Sequence, residues 1–175
     1  MHRWVYSAFV ILLWSCSPPT PAHEGKTPLA VARALMERAG KCALITIDST
    51  GHPQVRTMDP FLPDPDFTIW LATNPDSRKV TQLSSNQRVT LYYADYDNGY
   101  VSVYGLAELV EDVVAKKKYW KEEWKSFYPN YPNDYLLIKV RPLRLEMIDY
   151  QAGYAGDSLT WQPEVIWLEG SLEVE

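Results

Sequence analysis

The chain has 175 residues, 46% of them apolar and 22% charged, the composition of an ordinary globular domain with a sizeable core. Its 17 Lys and Arg against 22 Asp and Glu leave a net charge of −5, and with no basic run longer than Lys116-Lys117-Lys118 the balance argues against a nucleic-acid partner. His2, His23, His52, Cys16 and Cys42 lack the spacing of a zinc site, and neither Gly-x-Gly-x-x-Gly nor Gly-x-x-x-x-Gly-Lys occurs, so metal, Rossmann and P-loop readings fall away.

In chain order, Met1-His2-Arg3 is short and basic, and Trp4 to Leu13 is an almost unbroken apolar run. Roughly ten residues are too few to span a bilayer, which needs about 20, so residues 1–15 read as a secretory signal peptide. The run ends Leu13-Trp14-Ser15-Cys16, similar to a bacterial lipobox, in which the cysteine is lipidated and becomes the mature N-terminus. Residues 16–27, with Pro18, Pro19 and Pro21, read as an extended tether. The expected location is the periplasmic side of a membrane, held only by that lipid. Ser17 stands where many inner-membrane lipoproteins carry Asp, which favours the outer membrane.

Thr27 is placed to cap a helix begun by Pro28, with Leu29, Ala32, Leu35, Met36 and Ala39 at helical spacing and Gly40 at its end. Strands are predicted over Cys42–Asp48 and Pro53–Met58, joined by the turn residues Ser49 to His52, and over Phe67–Thr73 after a proline-rich loop. A short helix over Ser77–Ser85 follows the breaker Asn74-Pro75-Asp76. Val89–Ala94 and Tyr100–Val110 form a hairpin about Asp97-Asn98-Gly99. Asp112 to about Phe127 reads as one helix in which Trp120 and Trp124 share a face, a stripe that suits packing on the protein's own barrel better than a membrane surface. Tyr135–Val140 and Leu143–Tyr150 read as two strands separated by Pro142. Residues 151–175 show no clear period, and Trp161 and Trp167 must cover the barrel or a partner subunit. The pattern is mainly β with α: an antiparallel barrel with peripheral helices.

Two stretches carry chemistry. Ser77-Arg78-Lys79 puts two cations at a helix start, where the helix dipole disfavours each by roughly 0.3–1 kcal/mol. A bound anion reverses that penalty, because backbone N–H groups, the Ser77 hydroxyl and both cations converge on one place. In Pro53–Met58, Val55 and Thr57 point one way and Arg56 and Met58 the other. An arginine sharing a face with methionine suits either a ligand that is both flat and anionic or an edge strand whose Arg56 reaches out to water.

Four stretches in register are recognisable: Gly51-His52-Pro53-x-x-Arg56-Thr57-Met58, Trp70-Leu71-Ala72-Thr73-Asn74-x-x-Ser77-Arg78-Lys79-Val80, Arg88 to Asp95, and Tyr100-Val101-Ser102-Val103-Tyr104-Gly105. Together they resemble the pyridoxamine 5′-phosphate oxidase-like flavoprotein superfamily, closest to its general stress protein branch, over roughly Leu29 to Tyr150. The resemblance implies a split antiparallel β-barrel over residues 28–150, a homodimer, and FMN in clefts at the dimer interface. It implies that Arg56, Thr57 and Met58 contact the flavin ring edge and ribityl phosphate, and that Thr73, Ser77, Arg78 and Lys79 cradle the phosphate. Tyr100 stands where the oxidase has a glutamine touching the flavin.

The chain departs from the oxidase where substrate binds. Arg56 leads into Asp59-Pro60 rather than an apolar run ending in lysine, and Arg144 to Gln151 lacks the arginine and histidine that grip pyridoxal phosphate. The expectation is therefore an exported FMN-dependent redox protein acting on another small substrate, with no acid–base pair to nominate because the cofactor carries the chemistry. The alternatives are a flavin-binding or storage module without turnover, or the same barrel holding a deazaflavin or haem. Haem needs an axial ligand, and the mature chain offers only His23 and His52.

Overall fold

The computed structural model describes residues 26–168; the leader, the Cys16 lipidation position and most of the tether lie outside the described residues. Helix α1 (Pro28–Ala39) is capped as its sequence predicts: the Thr27 hydroxyl accepts from the Ala30 N–H, and Gly40 N–H donates to the Met36 carbonyl. Its apolar side, Val31, Ala32, Leu35 and Met36, is buried in the main core.

Strands β1 (Cys42–Ile47), β2 (Pro53–Met58), β3 (Ile69–Thr73), β4 (Arg88–Asp95), β5 (Gly99–Val110), β6 (Leu136–Asp149) and β7 (Glu164–Trp167) make one antiparallel sheet in the order β2-β1-β4-β5-β6-β3, with β7 also on β6. Alternate residues of the central strands are fully buried, among them Leu44, Leu91, Val101, Val103, Leu145 and Met147, and they form the core beneath α1. The sheet is not closed. Its two ends, β2 and β3, face each other across a cleft lined by Thr57 and Met58 on one side and Ala72 and Thr73 on the other. The α+β split-barrel architecture is the one the strand pattern predicts.

Four local expectations change. The third strand starts at Ile69, because Phe67 sits in a turn at φ 67° with its N–H bonded to the Asp64 carbonyl. The long helix expected from Asp112 is only α3 (Val113–Lys118), followed by a single 3-10 turn at Glu122–Trp124. It stops because Tyr119 leaves helical geometry, stacks on Trp70 at 4.3 Å and donates to Asp64. Aromatic packing there outweighs the helix propensity of the lysines.

Pro142 does not divide two strands. β6 runs through it, and the missing N–H falls at a register irregularity opposite Tyr104 and Gly105. Gly105 permits the close approach: a Cβ there would lie 2.5 Å from the Arg141 carbonyl oxygen. Finally, the aperiodic tail contributes β7, which pairs Arg144 with Trp167 and Glu146 with Val165. The Arg144 guanidinium lies between the Tyr104 ring, 4.1 Å away, and the Trp167 ring at 5.8 Å.

Candidate functional site

The cleft between β2 and β3 has a volume of about 500 Å³. At one end, β3 delivers Thr73, and the turn Asn74-Pro75-Asp76 leads into helix α2 (Arg78–Ser85). Asn74 makes that turn, its side chain accepting from Asp76 N–H and its carbonyl from Ser77 N–H. Ser77 is the N-cap, yet its side chain makes no capping bond. Its Oγ lies 2.9 Å from Thr73 Oγ1, which also accepts from Lys79 Nζ at 2.9 Å. In α1 and α3 the caps Thr27 and Asp112 do bond the third residue of the helix. Helix α2 therefore begins without a side-chain cap, its Val80 N–H bonded to the Ser77 carbonyl, beside a hydroxyl pair and a lysine, and with no acidic residue in its first turn.

Arg56 reaches the same place from β2. It lies on the inner face opposite Leu44, and donates through Nη1 to Thr46 Oγ1 (2.6 Å) and the Gln54 carbonyl (3.0 Å), and through Nη2 to Gln82 Oε1 (2.8 Å). All these acceptors are neutral. Burial, and then the Arg78 charge, lower the Arg56 pKa. Burial, and then the Arg56 charge, lower that of Lys79. Among the described residues none of the three cations is paired with a carboxylate. Three crowded, partly desolvated cations at an uncapped helix start are unfavourable by themselves and favourable around an anion with several acceptor oxygens. The residues present thus fit the phosphate of FMN.

The other end of the cleft is apolar and aromatic. It is lined by the buried Met58 and by a wall of Trp124, Phe127 and Tyr128, together with Lys41 and Asp59. Burial pushes the Asp59 carboxyl up, but hydrogen bonds from Lys41, Lys121 and Trp124 outweigh it and hold the group below the ordinary carboxylate value. Thr73 and Lys79 line the same cleft as Met58 and the aromatic residues.

Of the residues singled out in the sequence, Arg56, Thr73, Ser77, Arg78 and Lys79 gather at the cationic end, and Thr57 and Met58 line the cleft beside them. Tyr100 does not join them. It lies on the outer sheet face, 5.4 Å from the Tyr92 ring and separated from β2 by β1 and β4. Sequence reasoning missed Thr46 and Gln82, which orient Arg56. Their signals were a polar residue on the inward side of β1 and a glutamine one helical turn beyond Lys79. It also missed the wall, because Trp124 was assigned to a helix that does not form.

Comparison with known proteins bears on the family and the fold. The sequence model of the "Pyridoxamine 5'-phosphate oxidase like" family matches residues 30–153. General stress protein 26 from Bacillus anthracis superposes with a TM-score of 0.60 at 26% identity, covering 78% of this chain and 98% of its own. A Clostridium acetobutylicum protein related to general stress protein 26 gives 0.66 at 20% identity, covering 79% and 93%. A pyridoxamine 5'-phosphate oxidase-related, FMN-binding protein from Nostoc punctiforme gives 0.61 at 14% identity, covering 82% and 98%. No curated protein matches the chain. With more than half of its length matched by the family model and the split barrel in common, the chain belongs to the pyridoxamine 5′-phosphate oxidase-like family.

Proposed function

We propose that the protein binds FMN in the β2–β3 cleft and serves as a redox protein for a small substrate other than pyridoxamine phosphate. The observation that carries the reading is the cluster of Arg56, Arg78 and Lys79, unpaired with any carboxylate among the described residues, around an uncapped helix start. Lys79 and Ser77 hold the phosphate, Thr46 and Gln82 keep the Arg56 guanidinium aimed at it, and Met58 and the aromatic wall exclude water from the ring. Bound FMN supplies hydride or electron transfer, so the protein's part is binding and orientation. FMN should bind at least a hundredfold more tightly than riboflavin, which has the same ring and no phosphate, because two charge-assisted hydrogen bonds at roughly 1.5–3 kcal/mol each are at stake. Equal affinities in a fluorescence titration would contradict the phosphate assignment.

A homodimer is part of the proposal. The outer sheet face is unusually apolar: Val55 is 65% exposed, Tyr92 39% and Trp167 59%, and Ile45, Ile47, Tyr104, Leu106 and Leu143 line a groove of about 320 Å³. Thr57 and Tyr100 both belong to this face. A second copy seated there brings Tyr100 to a flavin held by its partner, a contact it does not make within its own subunit. The leader and Cys16 support export and lipid anchoring. Cys16→Ser is expected to move the protein from the membrane fraction to the soluble fraction, and unchanged fractionation would remove the lipoprotein reading.

A further inference from the structure

We propose that Asp59 is the positioning residue of the ring end of the cleft, an inference that rests on the flavin reading above. Asp59 follows the last residue of β2, and donors from two other segments meet on its carboxylate. Oδ1 accepts from Lys41 Nζ at 2.9 Å, just after α1, and from Lys121 Nζ at 3.0 Å. Oδ2 accepts from Trp124 Nε1 at 3.0 Å. Lys121 also donates to the Pro60 carbonyl at 3.2 Å and lies over the rings of Phe61 and Trp124, at 5.0 and 4.8 Å.

Turn hydrogen bonds shape the backbone of the wall, the Phe127 and Tyr128 N–H groups both donating to the Trp124 carbonyl, and Trp124 and Tyr128 pack on the buried Tyr135. Between α3 and β6 the chain forms one 3-10 turn and no strand. Trp124 is 7% exposed, packed edge-on against Phe61, and its single polar atom is satisfied by Asp59. Aromatic packing places the indole, and the carboxylate, holding its one polar atom, sets the orientation it presents to the cleft it lines with Met58. A wall held in one orientation before the ligand arrives binds a planar ring without the cost of ordering the wall. The phosphate cradle lies at the opposite end and shares no hydrogen bond with Asp59.

That separation makes the role measurable, because a ring-end residue acts equally on flavins with and without phosphate. Asp59→Asn keeps the size of the side chain and removes the charge that holds both lysines. In the full-length protein, with FMN and riboflavin as probes, it should weaken both flavins by the same factor, about tenfold or more, leaving their affinity ratio unchanged. Lys79→Ala, by contrast, should weaken FMN alone. Trp124→Phe, which keeps the aromatic ring and drops the donated bond, should reproduce the equal loss, and it decides the matter if Asp59→Asn does not fold. Unchanged affinities, or a loss confined to FMN, would overturn the role of Asp59 while the flavin reading stands. A wild-type protein that binds neither flavin would overturn both.

Discussion

Arg78→Ala combined with Lys79→Ala is expected to abolish FMN retention while the protein stays folded. Arg78 is exposed, and Lys79 donates its hydrogen bond to Thr73 alone, so neither supports the core. Removing Arg78 also takes away the charge that, after burial, lowers the Arg56 pKa. Unfolding temperature without ligand should change modestly, exposed Arg78 contributing roughly ±0.5 kcal/mol and half-buried Lys79 losing one hydrogen bond of about 1 kcal/mol. With phosphate bound the effect is larger. Two charge-assisted hydrogen bonds at roughly 1.5–3 kcal/mol each correspond to a loss of about two to four decades in affinity. The preference for FMN over riboflavin should vanish with them. Calorimetric titration, with a thermal melt of the ligand-free variant as control, reads both quantities. Undiminished FMN binding by a folded double variant would contradict the cradle.

The second large effect concerns the fold. Gly99 opens β5 at φ 144°, and a Cβ there would sit 2.1 Å from the Ile148 carbonyl oxygen and 2.7 Å from its carbon. Both clashes are with backbone of β6, which no rotamer change can relieve. Gly99→Ala must part β5 from β6 at the Gly99–Asp149 pair, next to the Asp149 carboxylate that accepts from Arg38 and from the Ala152 N–H. Overpacking and backbone strain of this kind cost on the order of 2–4 kcal/mol, a large part of the stability of a domain this size. Chemical denaturation should show the midpoint falling at unchanged slope. A loss under about 0.5 kcal/mol would mean that the strands are not held this closely.

The strands were legible where the sequence alternates over one buried face: Arg88 to Leu91 reads polar, apolar, polar, apolar, and Val89, Leu91 and Tyr93 are buried. The cationic cluster was legible in part: Arg78 and Lys79 adjoin at a helix start in the sequence, and the fold adds Arg56 and Thr73 to them. What stayed hidden depends on contacts distant in sequence. Tyr119 ends α3 because it meets Trp70 and Asp64, about fifty residues away, and no local propensity records that meeting. β6 continues through Pro142 because Gly105, on another strand, lets the backbones approach. Asp59 looked like part of a proline loop, and only the fold brings Lys41, Lys121 and Trp124 onto its two oxygens.

The central claim is that the β2–β3 cleft is a flavin site. The most direct measurement is the visible spectrum of the purified protein, with the mass of any cofactor released on denaturation, before and after incubation with added FMN. The account predicts flavin absorption bands and the mass of FMN, either as purified or once FMN is supplied. A folded, colourless protein that takes up no added FMN would contradict it.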